Sequence, residues 1–235
     1  MLSVLTYNIL FGNQLDNIAE WLKNHNAKFD ILCFQEFPKE KINFMLKFLQ
    51  PENYDFKYGT NFLKNGKDYG ELTLVNKKKI KFLDSKIIFL GTNIVEKKVF
   101  GLEGERSALI TKLKFDNKTF IFSNSHLIAY ALNFHRRAQL ETITSEINNL
   151  TTEKNTPAVV VGDFNYTSLL FQKSIFDFME KKGFKSGHNL KTHNLFNLKH
   201  HQLDYVFHKN CNVRKVEVVK LSFSDHFPVF FELHI

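Results

Sequence analysis

Two short, continuously apolar runs, residues 31–34 and 158–161, constrain the fold more than any other feature of this sequence. Each run is too short for a buried helix, and an uninterrupted apolar run of this length is typical of a strand covered on both faces. Such a strand needs one layer of structure above its sheet and another below it. The two runs therefore predict stacked layers rather than a sheet with one face in water.

Amphipathic helices and further strands fill the rest of the chain. Apolar residues at helical spacing predict helices near residues 14–25, 38–49, 135–150 and 169–182. Further strands are predicted near residues 4–7, 71–75, 82–89, 108–115, 119–122, 203–207, 213–220 and 227–233. No linker-like segment or internal repeat interrupts the series, so we expect residues 1–235 to form a single domain, an α/β sandwich of packed sheets with helices outside.

The composition is that of a globular chain. Hydrophobic residues make up 43% and charged residues 24% of the 235 residues, which excludes a disordered or low-complexity chain. The two cysteines, Cys33 and Cys211, lie far apart, which excludes a disulfide framework and a C-x-x-C site. No apolar run reaches the roughly 18–20 residues of a membrane span, and the strand-like start leaves no room for a signal peptide. We therefore expect a cytoplasmic protein.

The charge balance bears on possible partners. The 32 basic residues exceed the 24 acidic residues by 8, which favours a polyanionic partner such as nucleic acid or an anionic membrane surface. Lysine greatly outnumbers arginine and is scattered along the chain, a pattern that is equally typical of a solvated basic surface. The charge alone therefore does not select a partner.

Polar residues cluster where the predicted strands end. Glu36 and Asp163 follow the two buried runs, and Asp204 lies inside an apolar strand, where an unpartnered carboxylate would be costly. The other polar residues at strand ends are Asn8, His126, Asn165, Asp225 and His226. Asn165 lies on the same side as Asp163 if the chain stays extended. Each motif alone is more typical of a cap or a turn, but their combination predicts a functional site at one edge of the sheets.

The motifs that carry these residues resemble those of the endonuclease/exonuclease/phosphatase superfamily, the metal-dependent phosphodiesterases related to pancreatic deoxyribonuclease. In chain order they are Thr6-Tyr7-Asn8, Leu32-Cys33-Phe34-Gln35-Glu36, Ser123-Asn124-Ser125-His126-Leu127, Gly162-Asp163-Phe164-Asn165, Leu203-Asp204-Tyr205 and Ser224-Asp225-His226-Phe227-Pro228-Val229. The resemblance covers essentially the whole chain. It implies a four-layer α/β/β/α sandwich with the site at one edge of the paired sheets.

The resemblance also implies a divalent cation. Four carboxylates would repel an anionic phosphodiester, so a cation has to lie between them and the substrate. Glu36 resembles the principal metal ligand of the family, with the amide oxygen of Asn8 and the carboxylate of Asp225 as further ligands. An all-oxygen set of this kind suits Mg²⁺, with Mn²⁺ as the other option.

The remaining motif residues resemble the catalytic residues of the family. Asp204 and His226 match its carboxylate–imidazole pair, and Asp163 matches the residue that orients or deprotonates the attacking water. Asn165 would hydrogen-bond that water or a phosphoryl oxygen, and His126 would stabilise the transition state or protonate the leaving group. The choice between Asp163 and His226 as the general base stays open.

Several neighbouring polar residues have weaker signals. Tyr69 and Arg106 are predicted to bind the phosphate at the edge of the site. The run His135-Arg136-Arg137, which opens the third helix, and Gln139 close behind it are predicted to hold the segment after His126. Five histidines lie between residues 188 and 208, but no cysteine or tight H-x₃-H spacing accompanies them, which disfavours a zinc site.

We expect a monomeric nuclease that hydrolyses phosphodiesters in nucleic acid. After Asn8 the chain lacks the acidic or amide residue of the apurinic-endonuclease branch, which disfavours abasic-site repair. The alternatives are a phospholipid or small-molecule phosphoesterase, sphingomyelinase-like or inositol-phosphatase-like, and a catalytically dead binding protein on the same frame. A long basic groove beside the site would favour nucleic acid, and an apolar rim would favour the lipid alternative.

Overall fold

Buried strands organise the chain into two large sheets. The computed structural model describes residues 1–25, 29–49, 53–92, 94–151, 153, 155–166, 172–195 and 199–235. Within these residues, the first sheet has the strand order β14-β15-β1-β2-β4-β3-β6. Its strands are β1 (Leu2–Asn8), β2 (Ile31–Pro38), β3 (Tyr54–Lys64), β4 (Lys67–Asn76), β6 (Leu102–Glu103), β14 (Asn212–Val218) and β15 (Val229–His234).

The second sheet has the strand order β10-β13-β9-β8-β7-β5. Its strands are β5 (Ile80–Gly91), β7 (Arg106–Phe115), β8 (Lys118–His126), β9 (Ala158–Asp163), β10 (Lys185–Ser186) and β13 (Asp204–Lys209). A small third sheet pairs β11 (His193–Leu195) with β12 (Lys199–His201). Both large sheets are mixed, because β1–β2 and β8–β9 are parallel pairs in otherwise antiparallel surroundings.

Alternation along the strands sorts the apolar side chains into three layers of core. In β2, Ile31 and Cys33 pack between the two sheets, whereas Leu32 and Phe34 pack beneath helices α1 (Leu15–His25) and α2 (Ile42–Phe48). In β9 the alternation is the same, and its outer side chains pack beneath α4 (Asn133–Leu150) and α5 (Gln172–Lys181). The predicted four-layer α/β/β/α sandwich is confirmed, and both apolar runs are covered on both faces.

Some predicted boundaries are wrong, for local reasons. Pro38 does not start a helix but ends β2, and a 3₁₀ turn at Lys39–Lys41 leads into α2. The helix α3 (Ile94–Phe100) was not predicted. The predicted helix start near residue 169 lies outside the described residues, and α5 is followed by Gly183 at φ 83°, a conformation that suits glycine after a helix. No helix in the described ranges is both long and apolar enough to cross a membrane.

Candidate active site

The strand register brings the motif residues to one edge of the two sheets. In the second sheet, Asp163 is the pairing partner of His126 on the parallel side and of Asp204 on the antiparallel side. In the first sheet, Asn8 ends β1 beside Gln35, and Glu36 follows in β2. These residues come from distant parts of the sequence, yet pairing alone makes them neighbours. Six of the predicted site residues therefore lie close together, as expected: Asn8, Glu36, His126, Asp163, Asp204 and His226.

Asn8 joins the two sheets at the site. Its Nδ2 donates hydrogen bonds to Glu36 Oε1 at 3.2 Å and to Asp163 Oδ2 at 3.0 Å. Its Oδ1 accepts a hydrogen bond from the Leu10 backbone N–H at 3.1 Å. Asn8 is 1% exposed, so these bonds lie away from water. In this arrangement the nitrogen of the amide faces the carboxylates, and the predicted role of its oxygen as a metal ligand stays a prediction.

Glu36 lies in a bulge that interrupts the pairing of β2 with β4. The register shifts between Phe34 and Phe37, and Glu36 has a φ of 56°. A non-glycine residue in this left-handed region is under backbone strain, which is commonly found at functional sites. The Phe11 backbone N–H donates to Glu36 Oε2 at 3.1 Å and so fixes the second carboxylate oxygen.

His226 lies between two carboxylates. Its Nδ1 is 2.8 Å from Asp204 Oδ2, and its Nε2 is 3.5 Å from Asp163 Oδ2. The predicted Asp204–His226 pair is therefore present. Burial alone would lower the pKa of His226, but the charges of Asp204 and Asp163 outweigh burial and raise the pKa to about 10. The ring is protonated at neutral pH.

His126 reaches the same Asp163 oxygen from the other side. Its Nε2 is 3.5 Å from Asp163 Oδ2 and 3.9 Å from Glu36 Oε1. Burial lowers the pKa of His126 well below its usual value, and the positive charge of Arg106 lowers it further. At neutral pH this ring is therefore uncharged. The site holds one cationic and one neutral imidazole within reach of a single carboxylate.

Arg106 is buried beneath His126 rather than exposed at the rim. It is 3% exposed, and its Nε and Nη2 donate to the two carboxylate oxygens of Glu96 at 3.0 and 2.7 Å. Its Nη1 is 3.3 Å from both His126 Nδ1 and Asn61 Oδ1. Glu96 Oε1 also accepts a hydrogen bond from Ala129 N–H at 2.9 Å. The role of Arg106 in binding phosphate stays a prediction, and these contacts give it a second role in positioning His126.

A second polar group supports His126 from below. Asn61 Nδ2 donates to Glu71 Oε1 and to the carbonyl oxygen of His126, the latter at 3.1 Å. Ser107 Oγ lies 3.2 Å from Glu71 Oε2. Burial raises the pKa of Glu71 to about 8, although the hydrogen bonds from Asn61 and Ser107 oppose the increase.

Asp163 and Asn165 are placed by a turn, not by an extended strand. Asn165 has a φ of 50°, its backbone N–H donates to Asp163 Oδ1 at 2.8 Å, and its Nδ2 donates to the carbonyl oxygen of Leu127 at 3.1 Å. The condition of an extended chain is therefore not met here, because the Asp163 carboxylate accepts a hydrogen bond from the backbone N–H two residues on. Gly162 precedes the turn at φ 130°, and a Cβ there would lie 2.0 Å from Ser125 O, so no other residue fits.

Asp225 is paired with a histidine that the sequence analysis did not assign to the site. Asp225 Oδ2 is 3.5 Å from His193 Nε2, and ligand atoms of His193, Asp225 and His226 all lie within 4.8 Å of one another. Burial would raise the pKa of Asp225, but the hydrogen bond from His193 and the charges of His226 and His193 lower it overall. Among the described residues, no hydrogen bond or ion pair joins Asp225 to Glu36.

The donor set fits a divalent cation at Glu36. Burial raises the pKa of Glu36 to about 7, although the hydrogen bond from Asn8 and the charges of His226 and Arg106 act to lower it. Its one ion-pair neighbour among the described residues is His126 Nε2 at 3.9 Å, and that ring is neutral. Buried oxygen ligands without a fixed cation suit Mg²⁺ or Mn²⁺. The group of His193, Asp225 and His226 offers nitrogen ligands as well and could also hold an ion.

The peripheral predictions have different outcomes. Tyr69 is half-buried at the edge of the site, where its ring contacts Phe11 and Phe62 at centroid distances of 5.3 and 5.7 Å. Arg136 Nε donates to Ile128 O at 2.8 Å, and Gln139 Oε1 accepts from Ile128 N–H at 3.0 Å. These bonds confirm that the start of α4 holds the segment after His126.

Sequence reasoning missed four residues of this network: Asn61, Glu71, Glu96 and His193. Glu71 carried a usable signal, because it is an acid within an apolar strand, as Asp204 is. His193 belongs to the histidine-rich stretch between residues 188 and 208, but the stretch does not show which of its histidines reaches the site. Asn61 and Glu96 carry no local signal, because their partners are remote in sequence.

Comparison with known proteins agrees with the geometry. The described fold matches an endonuclease/exonuclease/phosphatase from Bacteroides vulgatus at 21% identity and a TM-score of 0.78, over 100% of this chain and 98% of the other. It matches mannosyl-6-phosphatase from Bacteroides thetaiotaomicron at 21% identity and a TM-score of 0.76, over 100% of both chains. It matches D. rerio TDP2, complexed with a single-strand DNA product, at 16% identity and a TM-score of 0.76, over 100% of this chain and 99% of the other. No curated protein matches the sequence.

At these identities the similar structures establish the fold alone. The family model is more specific, because it matches residues 5–226 and so includes the predicted metal-binding and catalytic residues from Asn8 to His226. The chain therefore belongs to the endonuclease/exonuclease/phosphatase family of phosphoesterases.

Proposed function

We propose that the protein is a divalent-metal-dependent phosphodiesterase that acts on nucleic acid. The observation that carries the proposal is that two imidazoles meet at one buried carboxylate oxygen, since both Nε2 atoms lie 3.5 Å from Asp163 Oδ2. Hydrolysis of a phosphodiester requires a proton acceptor for water, positive charge on the phosphoryl group and a proton for the leaving group.

The residues can divide these tasks between them. Asp163 orients the attacking water and takes its proton, with Asn165 holding the other Asp163 oxygen through its backbone N–H. The protonated His226, held by Asp204, supplies positive charge to the phosphoryl oxygens. The uncharged His126 stabilises the negative charge that develops near the leaving oxygen by hydrogen bonding, and the protonated His226 is the imidazole that holds a proton for that oxygen. A divalent ion held by Glu36, with Asn8 and Asp225 as further predicted ligands, would polarise a phosphoryl oxygen and screen the carboxylates from the substrate.

Nucleic acid is favoured over a small phosphoester for two reasons. The chain carries a net charge of +8, which assists encounter with a polyanion. One of the similar structures, D. rerio TDP2, is complexed with a single-strand DNA product. Mannosyl-6-phosphatase has the same fold, so the substrate has to be established by assay.

The test is hydrolysis of a single-stranded oligonucleotide, a phosphate monoester and phosphatidylcholine vesicles by the purified protein, with Mg²⁺, with Mn²⁺ and with EDTA. We expect metal-dependent cleavage of the oligonucleotide, and a KM that rises steeply as salt is increased from about 50 to 200 mM. The Asp163→Asn protein should be inactive on the oligonucleotide. Cleavage of the monoester or the lipid alone, or unchanged activity in EDTA, would refute the proposal.

A second candidate function has one observation in its favour. Helix α3 adjoins the segment before α4 through the Ala129–Glu96 hydrogen bond and the stacked Phe100 and Tyr130 rings. Together with the first turn of α4, they carry seven exposed large apolar residues, which we call the α3 rim: Ile94, Val95, Val99, Phe100, Tyr130, Leu132 and Phe134. Ile94 is 70% and Leu132 is 67% exposed, and Lys97 and Lys98 lie on the same helix. An apolar surface of this kind marks an interaction site, and a lipid substrate would use it.

Vesicle binding separates the two functions. If the substrate is a phospholipid, the protein should sediment with anionic vesicles, and Leu132→Asp should abolish both sedimentation and lipid hydrolysis. Leu83→Asp is the matched control, because Leu83 is 44% exposed on β5, outside the rim. If the substrate is nucleic acid, Leu132→Asp should leave oligonucleotide cleavage unchanged.

A further inference from the structure

A pocket of about 230 Å³ lies next to the Glu36 end of the site. Its walls come from the loop after β1 and from the tip of the β3–β4 hairpin. We call it the hairpin pocket, and its lining residues are Phe11, Asn13, Lys64, Asn65, Lys67 and Tyr69. None of them is acidic, and the lining combines two aromatic rings, two ammonium groups and two amides.

The hairpin register explains why these side chains share one face. Phe62 pairs with Tyr69 and Lys64 pairs with Lys67 across an Asn65–Gly66 turn, in which both residues have positive φ. Side chains two residues apart on a strand point to the same face of the sheet. The rings of this first pair and the two lysines of the second pair therefore form one surface of the hairpin.

Asp68 is the acid between these residues in sequence, but it does not neutralise the lysines of the pocket. It faces the opposite side, where it binds Lys39 Nζ at 3.1 Å and the hydroxyls of Tyr58 and Thr60, each at 2.9 Å. In the part of the chain that the structure describes, neither Lys64 nor Lys67 forms an ion pair with a carboxylate. The pocket therefore keeps two positive charges for an anion.

Phe11 connects the pocket to the reacting groups. Its backbone N–H binds Glu36 Oε2 at 3.1 Å, and both Leu10 and Phe11 have positive φ, at 46° and 56°. This strained turn projects the Phe11 ring outward to half-exposure, where Lys64 Nζ lies 4.0 Å from its centroid. A planar ring that stacks on Phe11 would displace the Lys64 ammonium, which could then bind a phosphate beside that ring.

We propose that the hairpin pocket binds a nucleobase of a single-stranded nucleic acid, with the base against Phe11 and Tyr69 and an adjacent phosphate on Lys64 and Lys67. Stacking platforms flanked by cations are how proteins hold single strands without reading their sequence. The Asn13 and Asn65 amides add hydrogen-bonding groups for a base edge. This inference rests on the proposed function, because the strand must pass from the pocket to Glu36 and Asp163.

The experiment measures equilibrium binding of two fluorescent probes to the inactive Asp163→Asn protein. One probe is an octathymidylate, and the other is an abasic oligomer with the same number of phosphates. Wild-type protein in EDTA serves as a second binding protein in case Asp163→Asn lowers stability. The pocket variants are Phe11→Leu and the double variant Lys64→Gln/Lys67→Gln.

The chain offers matched controls for both variants. Phe89→Leu replaces an aromatic ring that is 66% exposed on β5. Lys81→Gln/Lys114→Gln replaces a second cross-strand lysine pair, at the far end of the other sheet. These controls should bind both probes as the parent protein does.

We expect Phe11→Leu to weaken octathymidylate binding on the order of tenfold and to leave abasic binding unchanged, because only the first probe has bases to stack. We expect Lys64→Gln/Lys67→Gln to weaken both probes and to reduce the slope of log Kd against log salt by about 1.4, the value for two phosphate contacts on a single strand. Equal effects of Phe11→Leu on both probes, or pocket variants that behave like the controls, would overturn the proposal. So would displacement of octathymidylate by mannose 6-phosphate but not by thymidine monophosphate.

Cleavage assays keep this result separate from the proposed function. If wild-type protein cleaves the octathymidylate and the pocket variants bind normally, the pocket assignment fails and the function stands. If the probe binds through Phe11 and the lysines but wild-type protein with Mg²⁺ or Mn²⁺ does not cleave it, the function fails and the pocket stands. If the probe is neither bound nor cleaved, both fail.

Discussion

His226 and His126 flank Asp163 at the same Nε2–Oδ2 distance of 3.5 Å, yet their surroundings give them opposite charges. His226 has a carboxylate on each ring nitrogen, which raises its pKa to about 10. Burial lowers the pKa of His126 well below the usual range, and the charge of the Arg106 guanidinium lowers it further. Burial lowers the pKa of both rings, which are less than 6% exposed; the carboxylate partners of His226 outweigh burial, whereas the Arg106 guanidinium beside His126 adds to it.

The largest expected loss of activity comes from replacing Asp163, the carboxylate that both histidines contact. Asp163→Asn keeps the shape of the side chain but removes the proton acceptor and the charge that both rings face. We expect kcat for oligonucleotide cleavage to fall on the order of 10³-fold or more. Circular dichroism should show an unchanged fold. Residual activity within tenfold of wild type would mean that Asp163 is not the base.

The next largest loss of activity should come from replacing Asp204, which contacts His226 but not His126. Asp204→Asn leaves His226 Nδ1 without its charged partner at 2.8 Å. We expect kcat to fall on the order of 10²-fold with KM nearly unchanged, because the ring loses its positive charge and its fixed orientation. The control is Asp177→Asn, a surface acid paired with Lys173, which should be neutral. A change in KM alone would contradict a role for Asp204 through His226.

A smaller catalytic effect should come from the His126 side. Glu96→Gln leaves the buried Arg106 guanidinium without a counter-charge, and we expect a loss of about 3–5 kcal/mol in the free energy of unfolding. We expect kcat to fall roughly tenfold to 100-fold, because His126 loses its fixed neighbour. Glu146→Gln removes the half-exposed ion pair with Lys86 and should cost no more than about 1 kcal/mol.

A substitution of Arg106 distinguishes its two roles, which are to position His126 and to bind phosphate. If Arg106 only positions His126, Arg106→Lys should lower kcat and leave KM unchanged. If Arg106 also binds phosphate, as the sequence predicts, KM should rise as well. Steady-state kinetics with the oligonucleotide measures both quantities, and a variant with wild-type kcat and KM would exclude both roles.

The last effect concerns the pH dependence of stability and the support beneath His126. The folded pKa of Glu71 is about 8, above its ordinary value of 4.5. Between these values the folded chain holds a proton that the unfolded chain has released, so this contribution to the free energy of unfolding falls as pH rises. Glu71→Gln should remove a slope of up to about 1.4 kcal/mol per pH unit between pH 5 and 8. Urea unfolding across that range is the measurement, and identical slopes for the two proteins would contradict the raised pKa.

Local pattern predicted the layers and the strand-end residues well. The runs at residues 31–34 and 158–161 are covered on both faces, because a continuous apolar run has no other low-energy environment. Six of the predicted site residues meet at one edge, because each lies at or near the end of a strand in the same pair of sheets.

The rest of the site depends on contacts that no local pattern encodes. Glu36 sits in a bulge set by its pairing with β4, and Arg106 is buried because Glu96 lies in a helix that the sequence did not predict. His193 reaches Asp225 because His193 and His226 form an isolated bridge between remote segments.

Periodicity along short stretches of chain thus predicts which faces of each strand are buried and which residues end the strands. Which strand ends meet, which histidine carries charge and which side chains line the hairpin pocket follow from tertiary contacts. Strand register and pairing bring together residues that are far apart in sequence, and these contacts set the pKa values of the site.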